Sequence, residues 1–114
     1  MTHVHHSAIQ AHDVHASLRF YRDGLGLQLL MDHEFDGDWR TLFGAPANRL
    51  RSVFLGDPAA PDVGIVELVA FDGVGGAETD PDVSGPPRPG FFLLSFFVDV
   101  EDTLARLTAL GFAG

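Results

Sequence analysis

The chain contains no cysteine. That excludes disulfides, thiolate metal ligands and cysteine nucleophiles. It contains no lysine either, and its seven cationic side chains are all arginine. Arginine has no accessible neutral form, so Schiff-base chemistry is excluded. Cations are scarce altogether: 7 Lys plus Arg stand against 16 Asp plus Glu, a formal charge of −9. Such a surface repels phosphate backbones and anionic headgroups, so neither nucleic acid nor a membrane is an expected partner. The longest apolar run, FFLLSFFV at residues 91–98, is too short to span a bilayer. The N-terminus has no apolar signal segment, because histidines interrupt it, and a cytoplasmic location is the expectation. What is present suits one packed domain: 114 residues, 46% hydrophobic, with ten Phe among twelve aromatics.

Periodicity predicts the order β-α-β-β-β, linker, β-α. Residues 4–11, VHHSAIQA, read as a strand with Val4, His6, Ala8 and Gln10 on one face. Asp13 is an expected N-cap, opening a helix whose apolar stripe is Val14, Leu18, Tyr21 and Leu25, with Gly24 as its expected C′ stop. Strands are predicted at residues 27–35, 49–55 and 62–71, with a loop and a short turn at 41–43 between the first two. In the last of these strands Val63, Ile65, Glu67 and Val69 share a face, and Val66 and Leu68 point to the helix. Residues 72–90 are rich in Gly, Pro and Asp and read as a linker or surface loop. A fifth strand is predicted at 91–99 and a second helix at 100–110, capped by Gly111. The segments HHSAIQAHDVHASLRFYRDGLGL and FFLLSFFVDVEDTLARLTALGF rhyme as strand, Asp-Val, helix and Leu-Gly, a sign of an internal repeat.

Five of the six histidines crowd the first fifteen residues: His3, His5, His6, His12 and His15. His6 stands apart from the others, because it sits within a strand and has a plausible distant partner in Glu67. A titratable group inside a strand costs free energy unless something pairs with it. Imidazole and carboxylate together suit a divalent Zn, Fe, Mn or Ni ion, and Glu67 also suits a general base. The plain alternative is a surface His and an edge-strand Glu. His3 and His5 fall on the face opposite His6 and are expected to be solvated, as are His12, His15 and His33. Gln10 shares the face of His6. Trp39, Phe54, Phe92 and Phe96 are candidate pocket walls or core fillers. Arg49 and Arg51 suit an anionic substrate or surface ion pairs, and ion pairs are the commoner role.

Together these motifs resemble the vicinal oxygen chelate superfamily, the glyoxalase, bleomycin resistance and extradiol dioxygenase fold. Its opening modules run His, alternating apolar residues, an Asp-led helix holding Phe-Tyr, and Leu-Gly. Phe20-Tyr21 and Leu25-Gly26-Leu27 match that end, and VGIVELVAF resembles its fourth strand with a central Glu. The resemblance implies an α+β fold: a βαβββ module with a curved mixed sheet over residues 1–71, a linker at 72–90, and the start of a second module at 91–114. It carries the first-strand metal ligand onto His6 and the fourth-strand ligand onto Glu67. The second module's first-strand ligand falls on Phe92, which cannot coordinate a cation, and its last strands have no counterpart in the sequence. An open sheet edge and an uncovered apolar face follow. The chain is therefore expected to be a piece of a longer protein, and a homodimer is expected in either case.

Two functions are implied. One is a metal-dependent lyase, isomerase or dioxygenase acting on a small oxygenated substrate, with His6 and Glu67 holding the ion and Glu67 moving a proton. The alternative is a metal-free, bleomycin-type binding protein with an aromatic pocket of Gln10, Trp39, Phe54, Phe92 and Phe96. Substrate and reaction are not specified at this level, and an inert relative of the fold is a third reading.

Overall fold

The computed structural model describes residues 2–73, 89–90 and 93–112. Phe92 and most of the expected linker lie outside the described residues. Strand β1 (His6–Gln10) leads into α1 (Val14–Leu18), which continues as one π-helical stretch, Arg19–Gly24. Strands β2 (Gln28–Asp36), β3 (Arg49–Gly56) and β4 (Ile65–Phe71) follow, with a short helix α2 (Trp39–Phe43) between β2 and β3. Helix α3 (Val100–Ala109) comes last. The four strands form one mixed sheet in the order β1-β4-β3-β2. β1 runs parallel to β4, and β3 is antiparallel to both of its neighbours. The α+β class and the βαβββ order match the expectation.

The register divides the strands cleanly between two faces. Ala8, Glu67 and Phe54 align across three strands, as do Gln10, Val69 and Ser52. Alternate residues therefore point the other way, and there lies the core: Val53, Leu55, Val66 and Leu68, packed with Leu18. Val53, Leu55 and Leu68 are fully buried. Each such side chain contributes about 1.5–3 kcal/mol by leaving water.

Asp13 caps α1 as expected, its carboxylate accepting from the Ala16 amide at 3.1 Å. The helix stop differs from the expectation. Gly24 lies inside the π-helical stretch, and Gly26 takes the left-handed conformation, φ 88°. Its amide bonds Arg22 O, and the Leu27 amide bonds Tyr21 O. The wider π turns carry the chain two residues further before it reverses. Gly24 is needed for a different reason: a Cβ there would lie 2.4 Å from Leu107 Cδ2. Its missing side chain lets α3 dock. The docking is reciprocal: Arg106 Nε donates to Gly24 O at 3.0 Å, and Arg19 donates to Leu110 O at the end of α3. Each arginine thus satisfies a carbonyl that the other helix leaves without a partner. Gly111 ends α3 with φ 91°, as expected.

The expected fifth strand does not form among the described residues. Residues 93–99 adopt no regular structure. Alternation supplied the apolar faces of a strand, but a strand also needs a neighbour for its amides and carbonyls, and no described residue offers one. Leu94 and Phe96 pack instead against the core, while Leu93 and Phe97 are exposed. Helix α2 is likewise more than the expected turn. Asp38 caps it, accepting from the Thr41 amide at 3.1 Å and the Thr41 hydroxyl at 2.7 Å. Among the described residues no helix is long and apolar enough to cross a membrane.

Candidate functional site

The face of the sheet opposite α1 carries the polar side chains. On β1 these are His6 and Gln10, on β3 Ser52, and on β4 Glu67. Parity places them there: each strand alternates, so the residues that are not core face out together. Glu67 is the most enclosed titratable member, with a side chain 15% exposed against 40% for His6. A half-buried carboxylate needs partners. Ser52, itself buried, donates its hydroxyl to Glu67 Oε2 at 2.5 Å. On the other oxygen, Glu67 Oε1 lies 3.5 Å from His6 Nε2.

That 3.5 Å separation is longer than an ordinary N–H···O bond of about 2.7–3.2 Å. It is close to the spacing of two ligands on one ion: bonds of about 2.1 Å at a tetrahedral angle put the donor atoms about 3.4 Å apart. His6 and Glu67 thus fit a divalent ion as two of its ligands. Among the described residues no cluster of three His, Asp or Glu completes such a site. Its remaining donors must come from substrate, water or another segment.

Two partners of this pair escape the periodicity argument. Ser52 shares the face but carries no charge, so nothing in RLRSVFL marks it beyond being a polar residue in an apolar strand. His5 was expected on the opposite face. β1 begins only at His6, so period two does not govern His5, and its ring swings back to the site. His5 Nδ1 lies 2.9 Å from His6 Nδ1, so one ring donates and the other accepts. Phe54, opposite Glu67 in the register, backs both histidines, with ring centroids 5.1 Å from His6 and 6.0 Å from His5.

Beside this cluster is a cavity of about 540 Å³, walled by Ala8, Gln10, Phe35, Trp39, Phe43, Leu50, Ser52, Glu67, Val69 and Phe71. Helix α2 closes one side of it with Trp39 and Phe43, whose rings stack at 5.9 Å and 14°. The Trp39 indole N–H donates to Phe35 O at 3.2 Å, which fixes the ring. Gln10 and Trp39 line this cavity, and Phe54 stands outside it at the histidine end. Phe96 lies on the other side of the sheet, its ring 6.1 Å from Tyr21 and packed on the core. Without a ladder to hold residues 93–99 on the open face, the aromatic ring is drawn to the apolar side.

The arginines of β3 are engaged elsewhere, as expected. Arg51 pairs with Asp32 at 2.7 Å, and Arg49 pairs with Asp36 at 3.2 Å and Glu34 at 3.6 Å. The guanidinium of Arg51 holds the Asp32 carboxyl below its ordinary range.

A family model described as the Glyoxalase/Bleomycin resistance protein/Dioxygenase superfamily matches residues 3–113. The chain is 40% identical over 116 residues to the lactoylglutathione lyase-like protein terB of Aspergillus terreus, an overlap of 97% of this chain and 58% of that protein. The chain thus spans little more than half the length of that relative. A glyoxalase family protein from Bacillus cereus, solved as a crystal structure, superposes with a TM-score of 0.65 at 17% identity, covering 97% of this chain and 73% of that one. At that identity the likeness establishes the fold.

Proposed function

Because the chain belongs to the Glyoxalase/Bleomycin resistance protein/Dioxygenase superfamily, we propose that its open sheet face binds a small oxygenated substrate beside a divalent ion held by His6 and Glu67. The observation that carries this reading is the separation of His6 Nε2 and Glu67 Oε1, 3.5 Å, which suits shared ligation better than a direct hydrogen bond. A bound ion there supplies Lewis-acid polarisation of the substrate's oxygens. The chain's own residues do the rest. Ser52 anchors Oε2 of Glu67 and leaves Oε1 turned toward His6 Nε2, where the two would share the ion. With an ion on Nε2, His6 Nδ1 would carry the hydrogen and donate it to His5 Nδ1, 2.9 Å away, which holds the ring with Nε2 toward Glu67. Trp39 and Phe43 shield the cavity from water on one side. The reaction class is a lyase, isomerase or dioxygenase step, and the relative's name, lactoylglutathione lyase-like, favours a lyase.

The test is metal content per chain by plasma mass spectrometry, on protein purified without a metal-affinity column. Near-stoichiometric metal that disappears in His6→Ala supports the reading. Metal-free protein in both cases overturns it in favour of the second reading, a metal-free binding protein. That second reading draws on the lack of a third ligand among the described residues and on the aromatic cavity walls.

A further inference from the structure

Strand β3 offers an ion nothing to bind. Its residues, Arg49–Gly56, include no His, Asp or Glu. It lies beside β4 nonetheless, and two of its open-face residues each touch a different member of the His6–Glu67 pair. Ser52 is 2% exposed and donates its single hydroxyl hydrogen to Glu67 Oε2 at 2.5 Å. Phe54 stands opposite Glu67 in the register, and its ring lies 5.1 Å from the His6 ring at a 34° tilt. The same ring meets His5 at 6.0 Å, so it also backs the partner that His6 bonds through Nδ1. Residues 52 and 54 are separated by the strand period, so one strand reaches both members of the pair from one face.

We infer that Ser52 and Phe54 are positioning residues that set how the pair takes up a metal: Ser52 restricts Glu67 to ligation through Oε1 alone, and Phe54 fixes the His6 ring. The inference rests on the reading of the site given above and deepens it. A carboxylate can bind an ion through one oxygen or through two. Oε2 already accepts from a hydroxyl that is almost shut off from water, and turning Oε2 to the ion would strand that hydroxyl. One-oxygen ligation suits an ion of low coordination number such as Zn²⁺, which takes four ligands. It denies Mn²⁺, which favours an octahedral, oxygen-rich shell, the second carboxylate oxygen. Phe54 acts differently. It removes rotamers from His6 before the ion arrives, so less freedom is lost on binding.

The experiment reads metal affinity rather than turnover, on protein stripped of metal. Zn²⁺ is followed by competition with a chromophoric chelator, and Mn²⁺ by the electron paramagnetic resonance of the free ion. Ser52→Ala is expected to lower Zn²⁺ affinity by about tenfold, the low end for a lost partner of a metal ligand. Mn²⁺ affinity should fall by less, because the freed Oε2 can join that ion. Ser52→Thr keeps the hydroxyl and should restore the wild-type preference. Phe54→Leu keeps an apolar side chain without the ring, and should weaken both ions alike, by about two- to tenfold. In the wild type, the infrared difference spectrum on adding Zn²⁺ reads the ligation directly. Widely separated carboxylate stretches mark one-oxygen binding; closely spaced ones mark two-oxygen binding and overturn the inference whether or not the variants fold. Unchanged Zn²⁺ affinity in Ser52→Ala overturns it too, as do equal losses for the two ions, which a merely structural role would give. Unchanged affinities in Phe54→Leu overturn the part assigned to that ring. Wild-type protein that binds neither ion overturns the reading of the site and this inference with it, whereas wild-type binding that the variants leave untouched overturns the inference alone.

Discussion

The two faces of the sheet are built from alternate residues of the same strands, yet they are different materials. On the helix side, Val53, Leu55, Val66 and Leu68 are aliphatic and sealed. On the open side, Phe54 and Glu67 are only partly covered, and beside them the buried residue Ser52 is polar. Neighbours in sequence thus serve different ends. Residues 66 and 68 contribute packing, and residue 67 between them places a carboxylate on the open face. A sheet face with a wet, charged group costs stability, and the sealed face offsets it.

Adjacent residues offer the sharpest way to break this contrast. Leu68→Ala removes a fully buried side chain and should lower the unfolding free energy by about 2–5 kcal/mol in urea titration. Glu67→Gln keeps the shape and the bond from Ser52, and should change stability by no more than about 1 kcal/mol. Its turnover should fall by about 10²–10⁴-fold if Glu67 moves the proton. Comparable stability losses at 67 and 68, or undiminished turnover in Glu67→Gln, would erase the distinction between the faces.

A smaller effect sharpens the account of the sealed side. Gly24→Ala places a Cβ against Leu107, whose side chain must swing aside. The cost expected is about 1 kcal/mol, the low end for overpacking, because the colliding atom is a mobile methyl group. A neutral result by thermal melting would mean that the docking of α3 is looser than the close approach implies.

The smallest effect lies at the edge. Arg51 holds the Asp32 carboxyl below its usual value, so the pair's stabilisation is present above the unfolded carboxylate range and is lost as pH falls through the folded value. The two side chains are 34% and 39% exposed, and solvent screening limits the contribution to about 0.2–1 kcal/mol. Asp32→Asn should therefore lose less stability than wild type between neutral pH and about pH 3, by at most that amount. A larger difference in urea midpoints would show that this pair is better shielded than its exposure suggests.

Much of this was legible from residue types. Strand alternation placed His6 and Glu67 on one face and Val66 and Leu68 on the other, and the register shows both arrangements. Asp13 and Gly111 signalled their caps correctly. The misreadings have a common origin in partners that a linear pattern does not contain. Gly24 was read as a stop on spacing alone, whereas π turns move the stop to Gly26 and α3 claims Gly24 for contact. Residues 93–99 alternate like a strand, but no described neighbour completes a ladder, and Phe96 turns to the core. His5 obeys no strand period because β1 starts one residue later.

What the sequence determined by itself was therefore local: which residues are apolar, their period, their caps, and the exclusion of thiol and lysine chemistry. Those properties follow from each residue and its near neighbours in the chain. Only the tertiary structure decided that Ser52 would hold Glu67, that His5 would reach His6, and that Trp39 would wall a cavity. Those contacts join residues from different strands or beyond a strand's end. Hydrogen bonds and van der Waals contact act over a few ångströms, and only folding brings such distant atoms within that range.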